Sequence, residues 1–171
     1  MRHRNRLLFF KQKYQNLNIV GAELGVAKGI FSFDLLNECK NLKLYSIDAW
    51  AGDRGHDNNE YQFAKNKLSV FQDRSVIIKN YFHNIVDSFI DHYFDFIYID
   101  GYAHTGQNNG STLYDWYSKV KNGGIFSGHD YDKRWPKTIN TVNDFIHKFN
   151  LKLNLIQDSP YSSWYVIKGD Q

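Results

Sequence analysis

Five times along this chain a short run rich in apolar, β-branched or aromatic residues is followed by a segment of helical periodicity. No other feature of the sequence constrains the fold as much. The runs lie at residues 18–23, 42–48, 75–79, 94–100 and 125–127, and the helical segments at 29–40, 60–70, 84–92, 112–120 and 138–150. In the first helical segment Ile30, Phe33, Leu36 and Cys39 recur at steps of three; in the last, Ile139, Val142, Phe145, Ile146 and Phe149 share one face. Alternation of this kind buries its hydrophobic faces as a parallel sheet with helices on both sides. The runs are mostly apolar, as strands covered on both faces must be. Two further strands, 151–157 and 164–168, flank Asp158-Ser159-Pro160-Tyr161, a connection too short for a parallel crossover, so the last strand must run antiparallel. The expectation is an α/β fold with a Rossmann-like, doubly wound, mostly parallel sheet.

The 171 residues are enough for one domain with a proper core, and no repeat or low-complexity tract divides them. Residues 1–16 are expected to form a basic N-terminal helix and residues 17–171 the core. The helix carries Arg2, Arg4, Arg6, Lys11 and Lys13 and no acid. That pattern reads as a solvated cap on the domain or as a contact for an anionic partner or membrane surface. Its apolar stretch, Leu7 to Phe10, is too short for a signal sequence, and no run approaches the roughly 18–20 apolar residues that span a bilayer. A net charge of +3 is mild, and the basic residues gather in two separate places, 2–13 and 133–137, so nucleic acid is not the expected partner. The single cysteine, Cys39, excludes an internal disulfide and favours a reducing, cytoplasmic setting.

In a doubly wound sheet, ligands bind at the carboxyl ends of the strands. Those ends carry Glu23, Asp48, Asp100 and the pair His129-Asp130. The first loop has Gly21, Gly25 and Gly29 at intervals of four, which is not the spacing that brings a backbone against a dinucleotide pyrophosphate. Glu23 at that point would repel a diphosphate and suits a cationic ligand without phosphate. S-adenosylmethionine has a sulfonium, an α-amino group and no phosphate. Asp48 is placed to accept hydrogen bonds from ribose hydroxyls. The competing readings are tight helix–strand packing for Gly25 and Gly29 and a helix N-cap for Asp48.

These segments resemble the motifs of class I S-adenosylmethionine-dependent methyltransferases. Residues Val20 to Gly29 are similar to the E-x-G-x-x-x-G first motif, and Tyr45-Ser46-Ile47-Asp48-Ala49-Trp50 to the second, where the acid binds ribose. Phe96 to Gly101, with His104 after it, and Gly123 to Tyr131 look like the fourth- and fifth-strand motifs of a small-molecule subgroup acting on sugars, macrolides and catechols. The resemblance covers nearly the whole chain after residue 17. It implies a seven-stranded sheet of order 3-2-1-4-5-7-6 and methyl transfer from S-adenosylmethionine to a hydroxyl of a small molecule or sugar. It also implies Glu23, Gly25, Gly29, Asp48, Trp50 and Asp100 as donor contacts. In that subgroup, acids after strands four and five surround a divalent ion. Asp100 and Asp130 match them, with His129 where relatives carry another acid. A histidine would favour Mn²⁺, Fe²⁺ or Zn²⁺ over Mg²⁺. The metal-free alternative uses His129 or His104 as general base.

Two other functional classes stay open on sequence alone: an NAD(P)-dependent oxidoreductase on a similar sheet, and a protein that binds S-adenosylmethionine without catalysis. The acceptor site must come from loops, the N-terminal helix or the partner subunit of a homodimer. Residues 51–59 read as a mobile lid with charges of both signs. Residues 131–137 gather Lys133, Arg134 and Lys137 around Trp135, where an aromatic face suits a sugar and the cations suit an anionic acceptor.

Overall fold

The computed structural model describes residues 4–169. Seven strands form one sheet in the order β3-β2-β1-β4-β5-β7-β6. They are β1 (Ile19–Leu24), β2 (Leu42–Asp48), β3 (Ser75–Lys79), β4 (Phe94–Ile99), β5 (Val120–Gly128), β6 (Asn154–Ile156) and β7 (Ser163–Ile167). The first five pair in parallel; β7 runs antiparallel to both β5 and β6. This is the expected topology. The helices are α1 (Arg4–Tyr14), α2 (Ile30–Glu38), α3 (Asn58–Leu68), the single turn α4 (Phe82–Ile85), the short left-handed segment α5 (Gly106–Asn109), α6 (Ser111–Tyr117) and α7 (Pro136–Phe149).

Each face of the sheet has its own core. One buries Leu24, Ile97, Phe126 and Trp164 against Trp116 of α6 and Phe145 of α7. The other buries Leu44, Phe96, Tyr98 and Ile125 against Leu35 and Leu36 of α2 and Phe10 and Tyr14 of α1. Helix α1 is therefore not a solvated cap. Tyr14 stacks on Phe96 and Phe10 packs tilted against it, and Arg6 is only 1% exposed. Arg2 lies outside the described residues.

Three sequence expectations shift. In α2 the buried face is Phe31, Ser32, Leu35 and Leu36, and Ile30 is exposed: true helical spacing of three and four displaces a strict step of three. The helix expected at 84–92 is one α-turn and a 3₁₀ turn, with Ile90 exposed. Strand β5 begins at Val120 rather than Ile125. Asn122-Gly123-Gly124 is not a helix stop but an irregularity within the strand, where the register slips between Phe94 and Phe96 of β4.

Candidate functional site

A cleft of about 650 Å³ opens at the carboxyl ends of β1, β2, β4 and β5, lined on its floor by Glu23, Asp48, Asp100 and Asp130. The loop after β1 reaches this edge because Gly25 has φ +96°. A Cβ there would lie 2.6 Å from the Gly101 nitrogen and 2.7 Å from the Asp100 carbonyl carbon, so only glycine lets the β1 and β4 loops touch. Five non-glycine residues lining the cleft, Ala27, Trp50, Arg54, Tyr102 and Asp130, also have positive φ. Each such residue costs on the order of 1–2 kcal/mol, and strain of this kind collects at functional sites.

Asp48 holds the glycine loop in place. Its Oδ2 accepts the backbone N–H of Val26 (2.8 Å) and Ala27 (3.0 Å), and its Oδ1 accepts the N–H of Trp50 (3.1 Å). A carboxylate has about four acceptor directions, so Oδ1 retains capacity toward the cleft. Trp50 is buried against Val26 and Ala64, and its indole N–H donates to the Ala27 carbonyl (2.9 Å). It walls the cleft as a fixed plate. Gly29, at φ +67°, packs against Ala64 and Leu68 of α3 and is a structural contact rather than a lining residue.

Glu23 is 2% exposed. The Ser32 hydroxyl donates to it, and Ser32 in turn meets the Ser46 hydroxyl at 2.9 Å. Burial pushes its carboxyl up to about 8 against the opposing effect of the Ser32 hydrogen bond, and nearby Asp100 adds to the rise.

Asp100, His129 and Asp130 form one cluster. The His129 Nδ1 lies 3.1 Å from Asp100 Oδ1 and 3.2 Å from Asp130 Oδ1, and Nε2 faces the Tyr161 carbonyl oxygen at 3.1 Å. A carbonyl only accepts, so the hydrogen at Nε2 is fixed and Nδ1 points at the two acids. Burial lowers the His129 pKa, but Asp100 and Asp130 outweigh it and the net shift is upward. Burial raises Asp130 to about 6, despite the lowering effect of His129. One atom from each of the three residues lies within 4.8 Å of the others, a spacing one small cation can span.

Arg6 is the residue that sequence reasoning missed. It enters from α1 and its Nη1 donates to the Tyr98 hydroxyl at 2.7 Å. Asp100 Oδ2 lies 3.6 Å from Nη2 and Asp158 Oδ2 3.8 Å from Nε. Its guanidinium stands over the rings of Phe31 and Tyr98, at 4.8 and 5.4 Å. It thereby ties the N-terminal helix, β4 and the β6–β7 connection to one buried point. The available signal was its position: Arg6 and Phe10 are one helical turn apart, so a buried Phe10 places Arg6 on the same face.

The other expected residues sit at the rim. His104 does not join the His129 cluster; its Nε2 lies 3.8 Å from Asp53 in the loop after β2. Trp135 lines the cleft, with the Arg54 guanidinium 5.7 Å from its ring. Arg134 lines a smaller adjoining cavity, and its Nη1 donates to the Tyr161 hydroxyl at 3.1 Å. Lys133 lines neither cavity; of the two lysines expected around Trp135, Lys137 lines the smaller one. No helix among the described residues is long and apolar enough to cross a membrane.

A family model described as a methyltransferase domain matches residues 22–131. A candidate caffeoyl-CoA O-methyltransferase from Staphylococcus aureus superposes with a TM-score of 0.75 at 17% identity, covering 96% of this chain and 83% of that one. An O-methyltransferase from Bacillus cereus, solved in complex with S-adenosylhomocysteine, gives 0.71 at 14% identity, covering 96% and 81%. An rRNA methylase from Streptococcus thermophilus gives 0.70 at 14% identity, covering 97% and 95%. No curated protein matches the chain. At such identities the neighbours establish the fold, whose antiparallel β7 is the strand order expected above. The family model spans most of the chain, from the end of β1 through the residues after β5, and so takes in the whole cleft floor contributed by the sheet. The chain belongs to the methyltransferase-domain family and is an S-adenosylmethionine-dependent methyltransferase.

Proposed function

We propose that this protein transfers the methyl group of S-adenosylmethionine to a hydroxyl of a small molecule, of the sugar, glycan or catechol kind. The observation that carries the reading is the Asp100–His129–Asp130 cluster at the end of β4 and β5, beside a cleft that suits the donor. The donor fits the floor chemically. Glu23 and Asp100 are acids suited to its sulfonium and ammonium, and Asp48 Oδ1 is an acceptor suited to a ribose hydroxyl. Methyl transfer to oxygen is an in-line displacement, so the acceptor oxygen must lie about 3 Å from the methyl carbon and lose its proton.

Asp100, Asp130 and His129 Nδ1 would hold a divalent ion, with the Tyr161 carbonyl fixing the imidazole as outer-shell partners do for metal-bound histidines. Such an ion, when bound, lowers the pKa of an acceptor hydroxyl and orients it. The mixed oxygen and nitrogen set favours Mn²⁺, Fe²⁺ or Zn²⁺ over Mg²⁺. The lone buried Cys39 is consistent with a reducing, cytoplasmic setting. The test is S-adenosylhomocysteine release from a panel of sugars, nucleotide sugars, phenols and bulk RNA, with and without EDTA. Turnover on a hydroxyl compound, lost in EDTA and restored by Mn²⁺, is expected. Turnover on RNA alone overturns the acceptor class; turnover that survives EDTA removes the metal and leaves His129 as the base.

A further inference from the structure

We propose that the acceptor carries an anionic, phosphate-like group, and that this group docks in a basic pocket at the rim of the cleft formed by His104, Arg134 and Lys137 around Trp135. A second cavity of about 210 Å³ adjoins the main cleft and shares Ala103, His104 and Trp135 with it. Arg134, Pro136 and Lys137 complete its lining, and no acid among the described residues does. Arg54 adds a further cation above the Trp135 ring.

The local acids do not cancel this charge. Asp53 faces His104 at 3.8 Å and is half exposed, and Asp132 accepts the backbone N–H of Arg134 at 3.0 Å. Arg54, Lys133, Arg134 and Lys137 thus outnumber Asp53 and Asp132 before His104 is counted. Arg134 is held rather than free to wander: its Nη1 donates to the Tyr161 hydroxyl and its guanidinium stands 5.5 Å from that ring. A planar guanidinium so fixed suits the oxygens of a phosphate or carboxylate. The Trp135 indole Nε1–H is buried and finds no acceptor among the described residues. The cavity is the size of a single small group, not of a groove tracking successive phosphates, which favours a small molecule over a nucleic-acid strand.

This pocket rests on the proposed function only for the docked molecule being the methyl acceptor. The test follows the Trp135 indole resonance of the full chain, assigned with Trp135→Phe, in the presence of S-adenosylhomocysteine. Phenyl phosphate is the probe and phenol its neutral counterpart. Phenyl phosphate is expected to move the resonance saturably, with affinity falling at least about tenfold in the exposed double variant Arg134→Gln/Lys137→Gln, a change of roughly 1.4 kcal/mol. Titration of S-adenosylhomocysteine on the same samples reports that fold and donor pocket are intact. The pocket is overturned if phenol binds as well as phenyl phosphate, if no saturable shift occurs, or if the double variant binds the probe unchanged. Tighter binding of a single-stranded RNA, with steep salt dependence, overturns it in favour of a nucleic-acid acceptor. Loss of the phosphate response with hydroxyl turnover retained removes this pocket alone; the reverse removes the hydroxyl reading alone.

Discussion

The floor and the rim of the cleft hold the same kinds of charge under opposite conditions. On the floor, Arg6 is 1% exposed, and the side chain of Asp158, with which it pairs, is 5% exposed. At the rim, Arg54, Arg134 and Lys137 are exposed. Buried charges are barely screened, so each must be matched by a partner and each contributes to stability as well as to binding. Exposed charges are screened and interchangeable, and they contribute to recognition with little effect on the fold. The floor is acidic around a single arginine and faces a cationic donor; the rim is basic. The difference implies that floor variants alter folding and the donor together, whereas rim variants alter the acceptor or the opening of the cleft and leave the fold intact.

The largest break in that comparison is Arg6→Met. The neutral side chain fills similar space but leaves Asp100 and Asp158 without the guanidinium between them. Removing one partner of a buried ion pair costs about 3–5 kcal/mol. Denaturant unfolding should show a loss of that size, and a loss under about 1 kcal/mol would contradict the buried-charge account. Next is Gly25→Ala. The new Cβ meets backbone at 2.6 Å, and φ +96° is strained for any side chain. A cost of about 1–3 kcal/mol is expected from strain, and calorimetry should find S-adenosylhomocysteine bound at least about tenfold more weakly. Wild-type affinity in this variant would remove the Gly25–Gly101 contact from the donor site.

The floor was more legible in the sequence than the rim, and for a physical reason. Strand ends are fixed by the sheet, so Glu23, Asp48, Asp100 and Asp130 converge once the strands are known, and strand-two, -three and -four boundaries follow from apolar runs. Register and loop paths are not periodic. The slip within β5 at Asn122-Gly123-Gly124 reads locally as a stop signal because glycine serves both purposes. Which cations of residues 133–137 line a cavity depends on the turn into α7, so Lys133 was expected with Arg134 and Lys137 although it lines none. Arg6 was hidden by its own charge. A run of basic residues suggests a solvated face, and only the packing of Phe10 and Tyr14 turns Arg6 inward.

A smaller effect sharpens the floor. Burial holds the Glu23 carboxyl near 8, so in the free protein it is protonated through neutral pH. A sulfonium beside it favours the carboxylate, so binding S-adenosylmethionine below that pH expels a proton. The sign follows: affinity rises with pH, by at most about tenfold per unit, and levels off above the Glu23 pKa. S-adenosylhomocysteine lacks the sulfonium, so the ratio of the two affinities should rise through neutral pH. Glu23→Gln should flatten it. A ratio independent of pH in the wild type would place the sulfonium away from Glu23.

The smallest effect belongs to the rim. The loop after β2 carries Gly52 and Gly55 at positive φ, where an added Cβ would meet nothing within 4 Å, so it is held by few contacts. Two of these cross to the other wall: Arg54 over Trp135 at 5.7 Å and Asp53 to His104 at 3.8 Å. An exposed cation–π contact contributes about 0.5–1 kcal/mol, equivalent to roughly a two- to fivefold change in an equilibrium. Arg54→Ala should therefore leave the unfolding free energy within about 0.5 kcal/mol of wild type, in contrast to Arg6→Met. It should speed S-adenosylhomocysteine release by about two- to fivefold, because the loop would open more often over the donor. At about 1 M salt, where the screening length falls to about 3 Å, the electrostatic part of this difference should shrink, whereas the Arg6 effect should persist. If Arg54→Ala destabilises the fold as Arg6→Met does, the loop belongs to the core and the division between floor and rim fails.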